Sequence, residues 1–157
     1  MSNISVTVTE ENNTVTISQP GPVGPQGYGF PTYTDETDDA VSPGHVMYKK
    51  SNGNLGKAIA DGSVIPRVAG IVVTGAPQGG GAEYKMEGII DGISNWSAFT
   101  DQGNANLSEG SFYYISPTNA GKITTSAPTT VGQYVVQVGY AQSNTYLNLQ
   151  IQPPIKL

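Results

Sequence analysis

From Val46 to Gln152 no stretch carries a helical period free of glycine and proline, and what recurs instead is period-two alternation broken by turn residues. Tyr146-Leu147-Asn148-Leu149-Gln150-Ile151-Gln152 alternates cleanly, the pattern of a strand with one face buried and one wet. Val68-Ala69-Gly70-Ile71-Val72-Val73 is nearly continuous in apolar residues and reads as a central strand. Asn52-Gly53, between Val46-Met47-Tyr48 and Lys57-Ala58-Ile59-Ala60, is a hairpin signal, because both residue types tolerate positive φ. Ser116 to Gly121 reads as the turn between Phe112-Tyr113-Tyr114-Ile115 and Lys122-Ile123-Thr124-Thr125. Tyr134 to Ala141 supplies one more strand, and Asn95 to Phe99 reads as irregular or a single helical turn. Short strands at regular spacing predict an all-β domain over 41–157, a small barrel or a sandwich.

The same alternation opens the chain. Ile4-Ser5-Val6-Thr7-Val8-Thr9 and Thr14-Val15-Thr16-Ile17-Ser18 flank the turn Glu10-Glu11-Asn12-Asn13, which predicts a β-hairpin arm over 1–19. Ile4, Val6, Val8, Val15 and Ile17 would share its apolar face. An isolated hairpin is marginal in water, so that face is expected to dock on a partner and to act as an attachment surface.

Residues 20–40 read as an extended connector. Gly21-Pro22-Val23-Gly24-Pro25-Gln26-Gly27 places glycine at every third position with proline after it, the collagen pattern, in which only glycine fits at the axis of three polyproline II strands. Gly21, Gly24 and Gly27 are the candidate trimer axis; a single extended linker is the alternative. The acidic run Thr34 to Asp39 lacks the spacing and central glycine of an EF-hand loop and reads as solvated chain.

Composition narrows the function. Net charge is −5 and the seven basic residues are scattered, with Lys49-Lys50 the one adjacent pair, which excludes the clustered footprint of a nucleic-acid binder. No run approaches the length of a membrane span, and the opening residues lack the basic and apolar regions of a secretory signal, so synthesis in a cytoplasm is expected. With no cysteine, disulfides and thiolate chemistry are excluded. Hydrophobic residues make up 37 % of the chain, a thin supply that favours completing the core by oligomerising.

Chemistry-bearing constellations are missing. The lone histidine, His45, sits in a Pro-Gly-His turn without a nucleophile elbow. One histidine and no cysteine leave a zinc site almost without ligands. Among the carboxylates Glu83, Glu87, Asp91 and Asp101, the first two on one strand would stand about 13 Å apart, too far for either glycosidase geometry. Gly79-Gly80-Gly81 has no Lys-Ser or Lys-Thr after it and reads as a mobile tip. The reading is a non-enzyme without cofactor or metal. Aromatic residues leave a second option open. Trp96 and Tyr114 are candidates for surface recognition of glycans, within a set that includes Phe99, Tyr113, Tyr140 and Tyr146. Tyr113 and Tyr114 fall on opposite faces by alternation.

The block from Val46 to Ile155 resembles a β module of bacteriophage head-fibre, capsid-decoration and tail-fibre proteins. Leu107-Ser108-Glu109-Gly110-Ser111-Phe112-Tyr113-Tyr114-Ile115-Ser116 is similar to the L-x-x-G-x-x-Y-Y-L-S step of those proteins. Ser42 to Tyr48, opening a strand after a Pro-Gly turn, Val68 to Val72, Gly121 to Pro128 and Val138 to Ser143 resemble further steps. A short collagen-like segment ahead of a β domain is also a habit of phage fibres. The resemblance implies a homotrimer on a virus particle, attached by the arm with the β domain outward, as a head decoration or short head fibre. A tail-fibre or tail-adaptor subunit and a glycan-binding adhesion module are the alternatives. The expected partners are capsid or tail proteins and, for the third reading, host-surface glycans.

Overall fold

The structure, a computed structural model, describes residues 30–157 and, before them, the backbone of the two strands β1 (Ser5–Thr9) and β2 (Thr14–Ser18), which pair antiparallel with Val6 opposite Ile17. The collagen-pattern connector and the side chains of the arm lie outside the described residues.

Every regular element among the described residues is a strand. The first sheet holds β3 (Thr32–Glu36), β4 (Val46–Lys49), β5 (Leu55–Lys57), β6 (Val68–Thr74) and β7 (Gly81–Lys85), in the order β3-β7-β6-β4-β5. The second holds β8 (Gly88–Ile90), β9 (Phe112–Ile115), β10 (Ile123–Thr124), β12 (Gln137–Ala141) and β13 (Leu147–Leu149), in the order β10-β9-β12-β13-β8. The short pair β11 (Tyr134–Val135) and β14 (Ile155–Lys156) makes a third sheet, and all strand pairings are antiparallel. Thr32–Glu36 falls inside the stretch read from sequence as connector. Its residues instead pair with β7, Thr32 opposite Lys85 and Glu36 opposite Gly81.

The first sheet curls until its ends meet. β6 carries an extra residue against each neighbour: Met47 faces Gly70 while Tyr48 faces Val68, and Val72 faces Tyr84 while Thr74 faces Glu83. Such bulges bend a strand and steepen its twist. Beyond β3 the chain then bridges to β5, Thr37 to Leu55, and the Asp38 N–H donates to the Leu55 carbonyl at 2.9 Å. The curl encloses a small core of Val41, Met47, Leu55, Val72, Ala82 and Tyr84. Gly70 lies where the Lys85 carbonyl of β7 comes against the β6 backbone, and a Cβ there would collide with it.

The convex side of that sheet faces the second sheet, and the larger core lies between them. Val46 and Ile71 come from the first sheet, and Ile90, Tyr113, Ile115 and Leu147 from the second. This explains why Val46 and Met47, adjacent in sequence, are both fully buried: one points to each core. Trp96, from the turn after β8, fills the larger core.

Candidate recognition and attachment surfaces

The two aromatic candidates for recognition separate. Trp96 is fully buried: its indole N–H donates to the Thr145 carbonyl at 3.0 Å, and its own carbonyl accepts from the Phe99 and Thr100 amides. The expectation of a surface role for Trp96 is therefore corrected; the side chain is a core anchor with its one donor satisfied inside the fold. Tyr114 is half-buried and faces outward on β9, opposite Gln137 of β12 and Thr124 of β10. Tyr113, its neighbour, points inward, and its hydroxyl accepts from the Ser108 amide at 2.9 Å. The opposite-face reading of this pair holds.

What sequence reasoning missed is the row beside Tyr114. Cross-strand pairing aligns Phe112 of β9 with Tyr140 of β12, Tyr140 with Asn148 of β13, and Asn148 with Ile89 of β8. Phe112 is 50 % exposed and Ile89 38 %. Phe112 meets Tyr140 edge-on at 6.3 Å between ring centres, and the Asn148 amide donates to the Tyr140 hydroxyl at 3.2 Å. The row and its neighbours Thr124, Tyr114 and Gln137 include no charged side chain. Parity within each strand was the signal available, but which residues of four separate strands line up follows from register alone.

Within the acidic run Glu36 and Asp39 are exposed, as expected of solvated chain, while Asp35 and Asp38 are held by partners. Asp35 accepts from Lys49 at 2.7 Å and from the Tyr84 hydroxyl at 2.7 Å; Asp38 accepts from Lys50 and Asn54, each at 2.7 Å. The Lys49 ammonium hydrogen-bonded to Asp35 lowers its carboxyl below the ordinary range, and Lys50 does the same for Asp38. Both pairs tie the curled sheet together. Among the described residues no group of three or more histidine or acidic side chains is placed to hold a metal ion.

The four carboxylates weighed for glycoside chemistry are dispersed. Glu83 on β7 accepts from the Thr74 hydroxyl at 2.7 Å, while Glu87 lies past the end of that strand and is exposed. Asp91 stands 3.8 Å from Lys85, and Asp101 accepts from the Asn119 amide at 2.9 Å. His45 is wedged edge-on against Phe99, 5.1 Å between ring centres, with Nδ1 3.0 Å from the Ser42 amide nitrogen. Burial, and then the nearby Lys57, push its pKa down. Ile4, Val6, Val8, Val15, Ile17, Gly21, Gly24 and Gly27, assigned from sequence to attachment and to the trimer axis, lie outside the residues whose side chains are described.

Compared with known proteins, the chain matches no protein-family model and no curated protein.

Proposed function

We propose that the chain is a non-enzymatic bacteriophage virion component, a capsid decoration protein or short head fibre that attaches through its amino-terminal arm and presents the β domain outward. The observation that carries this reading is that the segment resembling the phage module, Leu107 to Ser116, is a core-forming unit of an all-β body. It contributes Leu107, Tyr113 and Ile115 to the larger core and holds itself by the Ser108–Tyr113 hydrogen bond. Core residues shared with that module support a shared fold, and the use of that fold is what the particle-binding experiment tests.

Attachment by the arm is a strand-scale event. Edge strands offer free N–H and C=O groups, and an apolar hairpin face adds buried area, so docking on a capsid subunit needs no separate receptor domain. Repetition of weak contacts across a symmetric particle supplies avidity. A homotrimer threefold about the Gly21-Gly24-Gly27 register would present three arms together. Synthesis in the host cytoplasm precedes assembly onto the particle.

Purified protein incubated with isolated heads and isolated tails tests the reading. Sedimentation with heads, lost on deleting residues 1–19, is the expected result. Sedimentation with tails alone moves the chain to a tail-fibre or tail-adaptor role, and binding that survives the deletion removes the arm as the attachment element. Light scattering tests the trimer, which requires three times the 16.4 kDa chain mass.

A glycan-binding module is the second reading, favoured by the exposed Phe112 ring edge-on to the half-buried Tyr140, with the Asn148 amide beside them. Sugar rings stack on aromatic faces and take hydrogen bonds from neighbouring amides. A glycan array read with Tyr140→Ala and Tyr114→Ala decides it: signal lost in the variants supports recognition, and a blank array leaves decoration.

A further inference from the structure

The apolar row on the outer face of the second sheet, Phe112–Tyr140–Asn148–Ile89, lacks a cover within residues 30–157, and its members are exposed or half-buried. We propose that the cover is the amino-terminal hairpin of the same chain, folded back over this row in the free protein. The inference deepens the attachment reading and rests on it in one respect: the face the arm would offer to a particle is then stored against its own domain until exchanged.

Two observations point to this occupant. First, the described chain begins at the edge of this sheet. The Phe30 ring lies against Gly88, the first residue of the edge strand β8, and Ile89, the end of the row, is the next residue. A connector of eleven residues, such as 19–29, can span at most about 34 Å at about 3.1 Å per residue. The row itself, four strands at about 4.8 Å spacing, covers only about 14 Å. The arm is therefore tethered at the sheet edge that carries Ile89, with chain enough to pass round that edge and cross the row.

Second, size and chemistry match. β1 and β2 are each five residues long and pair in register. At about 3.4 Å per residue such a strand is about 17 Å long, close to the width of the row. The sequence alternation gives this hairpin one face of Ile4, Val6, Val8, Val15 and Ile17, and a two-stranded sheet packs on another sheet through such a face. The row and the flanking Tyr114 and Gln137 carry no charged side chain; the nearest ions stand at the sheet edge, where the Lys85 ammonium donates to the Ile89 carbonyl at 3.1 Å beside Asp91.

The absence of cysteine allows a clean test on the full chain. A nitroxide on Thr16→Cys, a position on the polar side of the alternation, should broaden the backbone amide signals of Phe112, Tyr140, Asn148 and Ile89 in isotope-labelled protein. The double variant Phe112→Lys with Ile89→Lys should restore those signals. Both side chains are at least 38 % exposed, so the rest of the amide spectrum should stay in place and report that the fold is kept. Unbroadened row signals overturn the proposal. Broadening seen only when spin-labelled and isotope-labelled chains are mixed also overturns it and assigns the cover to a second copy's arm. Failure of the protein to sediment with phage particles, with the broadening present, overturns the attachment reading and leaves the fold-back intact.

Discussion

The Trp96 indole N–H and the Thr145 carbonyl, separated by 49 residues, meet at 3.0 Å and join the turn after β8 to the loop between β12 and β13. Trp96 is the largest of the fully buried side chains and belongs to the larger core, so this hydrogen bond satisfies the one polar group of a core anchor. Trp96→Ala should destabilise the protein by about 3–5 kcal/mol through cavity formation. Trp96→Phe should lose less volume yet leave the Thr145 carbonyl without its partner, at about 1–3 kcal/mol for the unsatisfied group. Urea denaturation checks both. A loss below about 1 kcal/mol for the alanine variant contradicts the core assignment.

Gly70 and Gly139 are predicted to reject alanine. A Cβ on Gly70 would run into the Lys85 carbonyl oxygen, and one on Gly139 into that of Asn148, both backbone atoms of a paired strand. Neither neighbour can step aside without breaking ladder pairing, so each substitution should cost about 1–3 kcal/mol or more. Gly53, with open space around its Cβ position, should cost less on alanine substitution, limited to its turn conformation. Thermal unfolding of the three variants side by side gives the ranking; equal losses at all three positions would contradict it.

Tyr84 links the curled sheet's interior to its rim by donating its hydroxyl to Asp35, which also holds Lys49. Burial, and then this hydrogen bond, raise the Tyr84 pKa, so it stays protonated through the physiological range. Tyr84→Phe should lower stability by about 1 kcal/mol and leave the Asp35 carboxylate held by Lys49. The measurement is the denaturation midpoint at neutral pH, and no change there would show the bond to be idle.

Acid should weaken the protein in a defined window. The carboxyls of Asp35 and Asp38 are depressed below the ordinary value of 3.8, chiefly by hydrogen bonds from Lys49 and Lys50. Groups lowered on folding contribute stability that is full above the unfolded pKa and is lost as pH falls through the folded one. Stability contributed by the two lysine pairs should therefore be intact at pH 5 and above and decline below about pH 4. Asp38→Asn should flatten that decline, as followed by thermal unfolding from pH 6 to pH 2.

His45 contributes a separate, higher window. Its pKa lies below 6.5 because burial and the cations Lys57 and Lys122 disfavour the imidazolium. The unfolded chain then binds its proton first, so stability falls as pH drops from about 6.5 toward the folded pKa and levels off below it. As the one histidine in the chain, its imidazole carbon-bound proton signals titrate without overlap in an NMR series. A midpoint at or above 6.5 would contradict the packing seen against Phe99.

How much was legible beforehand differs between elements. Val68 to Val73 as a central strand, the turn at Asn52-Gly53 and the hairpin closed by Ser116 to Gly121 all stand in the fold, because each is encoded by neighbours within a few residues. Thr32–Glu36 was hidden in an acidic, proline-flanked stretch. Its strand conformation depends on pairing with β7, some 50 residues away, and on Lys49 and Tyr84 taking up the Asp35 charge. Trp96 was equally opaque, since a tryptophan in a polar turn reads alike whether it faces solvent or a core.

Alternation and turn chemistry, which are local, by themselves determined that this chain is built of strands, where most of the strands and turns fall, and that Tyr113 and Tyr114 part to opposite faces. Tertiary structure alone decided the rest: the bulges of β6 that curl the first sheet onto Leu55, the two cores served by adjacent Val46 and Met47, and the alignment of Phe112, Tyr140, Asn148 and Ile89. The physical reason is register. A period of two says that a residue faces one side or the other, but only the pairing of distant strands says which side becomes the interior and which side chains stand in line.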